Sequence, residues 1–194
     1  MKQEIIQKIK QQIEAGIYPG ASFAYYQDGA WTDWYLGESN PEIGEKTRKG
    51  LVYDLASVSK VVGVGTALTF LWKAGKIELD QPIKVYLPEA DYPDITIRQL
   101  LTHTTDLDPF IPNRGQLTSE QLREAMFHLN RREKRSFLYS DVHFLLLGFL
   151  LETYYKKDLD VILQEQVLNP WKMGETRFGP VPSAVPTVRG QKAG

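Results

Sequence analysis

Ile5, Ile6, Ile9 and Ile13 recur at helical spacing along residues 2–16, so the chain opens with an amphipathic helix that Gly16 and then Pro19-Gly20 end. The pattern then switches to two short β-type runs, Ala21–Tyr26 and Trp31–Leu36, joined through Gln27-Asp28-Gly29-Ala30. Asp-Gly between β-rich runs is a strong hairpin signal. Residues 40–50 are polar, with Pro41 and two glycines, and read as a loop. Beyond Lys60 nearly every position up to Trp72 is apolar, so a helix over about Ser57–Lys73 has no wet face and must be buried. Gly75 is placed as its C-terminal stop. Asp80-Gln81-Pro82 turns the chain into Ile83–Leu87, and Pro88 breaks it again. Thr96 reads as the N-cap of a short helix carrying Ile97, Leu100 and Leu101, and Thr118-Ser119-Glu120-Gln121 as a capping box opening a helix through His128. Asp141 reads as the cap of a second strongly apolar helix, Val142 to about Tyr155, and Asp158 to Val167 as one more helix. From Gly179 on, the Pro, Gly and Val content predicts no element.

Helix, hairpin, then mainly helices is an α+β order, and 194 residues suit one domain or one and a part. A lone two-stranded hairpin is marginal in water, and no later run reads as a strand to complete its sheet. The expectation is an incomplete sheet whose free hairpin edge pairs with a partner, in a dimer or a strand exchange.

Charge narrows the function classes. Lys and Arg (23) nearly cancel Asp and Glu (24), so no global field points to nucleic acid or an anionic membrane. The one dense basic run, Arg131-Arg132-Glu133-Lys134-Arg135, reads as a solvated loop. With no cysteine there is no disulfide, thiolate metal site or cysteine nucleophile. The N-terminal MKQEIIQKIKQQIEAG spreads charge throughout and is no signal peptide, and no run reaches a membrane-spanning length. The chain therefore reads as cytoplasmic, or as extracytoplasmic with a leader removed. H-E-x-x-H, G-x-S-x-G and a phosphate-cradling glycine loop are all missing, which argues against a zinc hydrolase, an α/β-hydrolase elbow and a nucleotide site.

The chemistry concentrates at two helix mouths. The first turn of the buried helix holds Ser57, Ser59 and Lys60, and Ser57 and Lys60 are neighbours on one helix face. Backbone N–H groups and the helix dipole favour negative charge there. Burial disfavours a charged lysine, and a neutral amine within reach of a serine hydroxyl activates it as a nucleophile. An isolated S-x-x-K is weak evidence, since serine is an ordinary N-cap and a first-turn lysine can snorkel to water. Tyr139-Ser140-Asp141 opens the second apolar helix in a similar way. A tyrosine hydroxyl and a short polar side chain there can pass protons or hold a substrate; the plainer alternative is that Ser140 or Asp141 simply caps the helix and Tyr139 is a half-buried aromatic. His103, amid Thr102, Thr104, Thr105 and Asp106, reads as a residue that fixes a turn by hydrogen bonds. His128 and His143 have no chemical neighbours in sequence. Gly63 and Gly65 read as permitting close helix packing.

Taken together, Ser57-Val58-Ser59-Lys60 and Tyr139-Ser140-Asp141 resemble the class C β-lactamase and penicillin-binding-protein family of serine acyl-transfer enzymes. YDLASVSKVVGVGTALTFLWKAGKIELDQPIKVYLPE is similar to the family's nucleophile helix and the segment after it, and ITIRQLLTHTTDL to its histidine turn. FLYSDVHFLLLG is similar to its second motif, VLNPWKMGETRF to a later stretch, and IEAGIYPGASFAYYQDG to its opening helix and first strands. The resemblance implies a β-lactamase/transpeptidase-like α+β fold, with residues 1–56 as the N-terminal part of an α/β sheet domain and 57–194 as the helical domain. It implies Ser57 as nucleophile, Lys60 as the group that takes up its proton, Tyr139 as proton relay to the leaving group, and the Ser57 backbone N–H as one oxyanion donor. Asp141 stands at the substrate-binding position where the family often has Asn; facing Lys60, it would hold the lysine protonated and make it a poorer base. Asp106 stands where the family commonly has Gly. The family's third motif, with the second oxyanion donor, lies on a later strand not reached by Gly194, so the expectation is an N-terminal piece with little turnover. The implied substrate is a small molecule or a peptidoglycan peptide, β-lactam or D-alanyl, with no cofactor. An esterase on the same scaffold and a non-catalytic binding module are the alternatives.

Overall fold

The isoleucine stripe near the N-terminus forms helix α1 (Lys2–Glu14), ended at Gly16, whose φ is +70°. The computed structural model describes residues 2–187. Strands β1 (Gly20–Gln27) and β2 (Ala30–Asn40) pair antiparallel, with Phe23 opposite Trp34 and Tyr26 opposite Trp31. Asp28 and Gly29 turn the hairpin at φ +53° and +82°, the left-handed pair that a two-residue turn of this twist needs. The Phe23 and Trp34 rings stack with centroids 5.6 Å apart, a cross-strand pair on one face. Strand β3 (Glu45–Lys46) lies within the segment that the sequence predicts as a loop; it pairs back onto β2 to give the order β1-β2-β3. Two residues offer no alternation to read, so its pairing is visible only in three dimensions. Among the described residues β1 is hydrogen-bonded to a strand on one side only. The tail from Gly179 makes a parallel bridge, Val52 to Ala184, with the Val185 N–H donating to the Val52 carbonyl at 2.8 Å. It groups with Met1–Leu55 in one unit, and Ala56–Phe178 form a second.

In the second unit the predicted single helix after Ser57 begins as a π-helical segment, Lys60–Gly65, and becomes α2 only over Thr66–Lys73. Widened turns of this kind occur frequently at functional sites. Gly63 permits a close approach there, since a Cβ on it would lie 2.8 Å from Leu163 Cδ1. At the far end Gly75 (φ +66°) closes α2, its N–H donating to Trp72 O and that of Lys76 to Leu71 O, both at 2.9 Å. Helices α3 (Ile97–Leu101) and α4 (Ser119–Phe127) start at reciprocal capping boxes, Thr96 with Gln99 and Thr118 with Gln121. α5 (Asp141–Tyr155) is apolar on all sides because it is the centre of this unit: Leu146, Leu147, Leu150 and Leu151 are wholly buried. Against it pack α3, α4, the π-helical segment and α6 (Leu159–Leu163), which continues into a second π-helical segment, Gln164–Leu168. Among the described residues no helix is long and apolar enough to cross a membrane.

One local expectation changes and another gains detail. The cap of α5 is Ser140, not Asp141: the Ser140 hydroxyl accepts from the Val142 N–H at 3.2 Å, and Asp141 is the first helical residue with its carboxylate free to point elsewhere. The basic run is a largely exposed loop, as its charge pattern suggests, but one anchored by ion pairs and hydrogen bonds. Arg131 ion-pairs with Asp94 and Asp106 at 2.9 and 2.8 Å, and Arg135 with Asp94. The Arg132 guanidinium donates to the carbonyls of Thr105 and Leu107 at 2.7 and 3.2 Å. The acidic and carbonyl partners lie at residues 94–107, too far along the chain for charge patterning to reveal. Asp106, where the resemblance expects Gly, thus anchors the segment that leads to Tyr139.

Candidate active site

Ser57 follows a backbone position that few side chains adopt. Ala56 has φ +44°, in the left-handed region, where a non-glycine residue is uncommon and persists only when its surroundings hold it. Ser59 supplies the hold: its N–H and its hydroxyl both donate to the Ala56 carbonyl, at 3.1 and 2.5 Å. The Lys60 N–H donates to the Ser57 carbonyl at 3.2 Å and closes the turn. Ser57 is left solvent-exposed at the mouth of the π-helical segment.

Lys60, Tyr139 and Asp141 converge on it, although about eighty residues separate the two motifs. Lys60 Nζ donates to Ser57 Oγ at 3.1 Å and lies 2.6 Å from Asp141 Oδ1. It also sits 5.2 Å from the centroid of the Tyr139 ring. The lysine side chain is only 15% exposed, whereas that of Asp141 is 73% exposed, so the carboxylate faces water at the rim and the ammonium sits beneath it.

Charge in this cluster runs opposite to the simple burial expectation. Burial alone pulls Lys60 down, but hydrogen bonds to Asp141 and Tyr139 and their charges outweigh it, and the lysine is held above its ordinary value of 10.5. Lys60 is therefore an ammonium at neutral pH. Tyr139 moves the other way: a hydrogen bond with Ser57, then one with Lys60, lowers its phenol below the ordinary 10.0. The donor pattern is consistent with both shifts. An ammonium can only donate, so Ser57 Oγ accepts from Lys60 and its own O–H is left to donate to Tyr139 Oη.

His103 and His143, with no sequence link between them, meet beneath Tyr139. Their Nδ1 atoms lie 2.8 Å apart, and His143 Nε2 lies 2.8 Å from the Thr105 hydroxyl. Burial, then Lys60, lowers His103, and burial, then His103 and Arg132, lowers His143 to about 4. His103 does fix a turn, as its neighbours suggest, but its partner His143 is what sequence reasoning missed. The only local hint is that His143 lies on the otherwise apolar helix α5 two residues after Asp141.

Comparison with known proteins agrees with this architecture. A family model described as Beta-lactamase matches residues 5–193. A protein of Escherichia coli K12 named "Putative D-alanyl-D-alanine carboxypeptidase" is 30% identical over 200 residues, covering 89% of this chain and 46% of that protein. The fold is similar to that of a class C beta lactamase from Rhodobacter sphaeroides (TM-score 0.73, 20% identity, 95% of this chain and 57% of that one). It is also similar to that of a D-amino acid amidase from Ochrobactrum anthropi (TM-score 0.72, 20% identity, 94% of this chain and 55% of that one). The chain spans about half the length of the curated relatives it matches. With the family model matched over nearly its whole length, the chain belongs to the beta-lactamase family.

Proposed function

We propose that this chain carries the acylating centre of a serine acyl-transfer hydrolase, with Ser57 as nucleophile and a D-alanyl peptide or β-lactam as acyl donor. The observation that carries the reading is the three-way contact in which Lys60 Nζ lies 3.1 Å from Ser57 Oγ and the Tyr139 hydroxyl is hydrogen-bonded to the same serine. The name of the Escherichia coli relative supplies the D-alanyl substrate class.

With Lys60 held as an ammonium, the first acceptor of the serine proton is Tyr139 Oη in its ionised form, which the hydrogen bonds from Ser57 and Lys60 favour. Ser57 Oγ attacks the carbonyl carbon as its proton passes to Tyr139 Oη, giving a tetrahedral oxyanion. Collapse breaks the carbon–nitrogen bond, and Tyr139 returns the proton to the departing nitrogen. An ester on Ser57 remains; water attacks its carbonyl carbon as Tyr139 takes the water's proton, and collapse breaks the bond from that carbon to Ser57 Oγ, to which Tyr139 returns the proton. Asp141, at the rim beside Lys60, is the substrate-facing acceptor.

The test is intact mass after incubation with a penicillin, with the adduct then located on a peptide. A one-to-one adduct on the peptide that holds Ser57, lost in Ser57→Ala and formed faster as pH rises toward the Tyr139 ionisation, is the expected result. Acylation by a simple aryl ester but not by penicillin would replace the proposal with an esterase. No adduct from either, with ligand binding kept in Ser57→Ala, would replace it with a binding module.

A further inference from the structure

The strongest unused feature of the molecule is a buried polar chain behind Tyr139. His103 is a buried residue at φ +56°, a conformation a histidine keeps only when contacts fix it. Its carbonyl accepts from the Leu138 N–H at 2.9 Å, and its Nδ1 accepts from the Ser140 N–H at 3.4 Å. Its ring lies against the Tyr139 ring, with centroids 4.8 Å apart. His103 therefore grips the residue before Tyr139, the residue after it, and its ring.

The proton positions along this chain follow from donor and acceptor bookkeeping. The Ser140 N–H points at His103 Nδ1, so that nitrogen presents its lone pair, and the proton in the 2.8 Å contact belongs to His143 Nδ1. His143 Nε2 must then accept, and the Thr105 hydroxyl donates to it at 2.8 Å. The Thr105 oxygen in turn accepts from the Leu107 N–H at 3.2 Å. Donation runs one way, Leu107 to Thr105 to His143 to His103, through side chains of which Thr105 and His143 are at most 1% exposed. A second proton on the pair would set two N–H groups against each other and release the Ser140 N–H. The charged groups facing the pair are Lys60 and Asp141 on the His103 side and Arg132 on the His143 side.

We infer that the Thr105–His143–His103 chain is a positioning device that holds Tyr139 in register with Ser57 and Lys60, and that this register is lost when the histidine pair takes up a proton. The inference rests on the reading of Tyr139 as the proton acceptor. The histidines and Thr105 act through Tyr139 and touch neither Ser57 nor a substrate in this account.

The experiment uses the 194-residue chain with tyrosine labelled by ¹³C at Cζ, the Tyr139 resonance being assigned by its loss in Tyr139→Phe. Tyr139 should titrate below an ordinary tyrosine in the parent chain and in Thr105→Ser, which keeps the hydroxyl. In Thr105→Val and His143→Phe it should move back toward the ordinary value. An unmoved Tyr139 titration in folded Thr105→Val or His143→Phe would overturn the inference. If neither variant folds, ¹⁵N-histidine spectra of the parent chain decide: His143 should carry its proton on Nδ1 and His103 on Nε2 at neutral pH, and any other tautomer pair overturns it. None of these readouts needs turnover. A Tyr139 shift that follows Thr105 in a chain whose Ser57 never acylates would therefore support the positioning device and remove the proposed function.

Discussion

Acid should destabilise the helical unit through His143, and the size of the effect follows from how fully its ring is buried. Burial of the ring, then the charges of His103 and Arg132, lowers its pKa from 6.5 to about 4, while its two ring nitrogens face His103 and the Thr105 hydroxyl. Well above 6.5 the imidazole is neutral in both the folded and the unfolded chain, and His143 contributes no pH dependence. As pH falls through 6.5 the unfolded chain binds a proton that the folded chain refuses until about 4, so the loss of stability accumulates across that window. At 1.36 kcal/mol per pKa unit, the loss is about 2 kcal/mol by pH 5 and about 3 kcal/mol by pH 4. His103, also shifted down by burial, adds in the same direction. Asp80, Asp91 and Asp94, held below 3.8 by hydrogen bonds from Arg98, Lys84 and Arg131, lose their contributions only at lower pH, which leaves this window to the histidines. Urea unfolding at about pH 7.5 and about pH 5, read as a midpoint shift at constant slope, measures the term. His143→Asn should flatten the dependence by about 2 kcal/mol between those two conditions, whatever its own effect on stability. An equal pH dependence in the parent chain and the variant would refute the reasoning, because the proton would then be entering some other group.

Two further outcomes follow from single contacts. Tyr92 is wholly buried and its phenol is pushed up to about 12 by burial; it donates to the Met126 carbonyl at 2.6 Å and accepts from the Leu129 N–H at 2.7 Å, bridging the end of α4 to the segment that leads to Tyr139. Tyr92→Phe orphans two buried backbone groups and should cost about 2–4 kcal/mol in urea unfolding; a loss below about 0.5 kcal/mol would show the bridge to be unimportant. Asp141→Asn removes the carboxylate that raises both Lys60 and Tyr139, so Ser57 acylation should reach its plateau at lower pH, and a shift to higher pH would contradict the charge assignment.

What the sequence made legible is what local chemistry decides. The stripe of four isoleucines, the Asp28-Gly29 turn and the boxes at Thr96 and Thr118 each act within a few residues, and each forms the predicted element. The choice between Ser140 and Asp141 as cap was not local. Either side chain can cap α5, and Asp141 is drawn off by Lys60, eighty-one positions earlier. Arg131 and Arg135 stay exposed, and their ion pairs with Asp94 and Asp106 emerge only when those segments fold together. Within the candidate site, spacing alone relates Ser57 to Lys60; the approach of Tyr139 to that pair was implied by resemblance, not by any periodicity. The His103–His143 contact had neither kind of signal, since forty residues separate two histidines that look unremarkable in their own segments.

Asp141 shifts the chemistry of the site more than its exposed position suggests. Lys60 is the one cation hydrogen-bonded at Ser57 among the described residues, and it faces two acidic side chains, the Asp141 carboxyl and the Tyr139 phenol. The carboxylate favours the ammonium form of Lys60, which makes the lysine a poorer first base. It also works against ionisation of Tyr139, which it raises through its charge. A phenolate here consequently depends on Lys60 and Ser57 being within hydrogen-bond reach, and that depends on how the 137–140 segment is held. The helix dipole at the mouth of α5 favours negative charge at Tyr139 and Asp141 alike, so it does not choose between them. Geometry chooses. The buried histidine chain fixes Tyr139 from behind, while Asp141 stays at the wet rim where solvent weakens its charge. A site with an amide at position 141 would ionise Tyr139 more easily and would need that support less. In this chain the aspartate and the histidine turn have to be understood together, because the first opposes the ionisation that the second makes attainable.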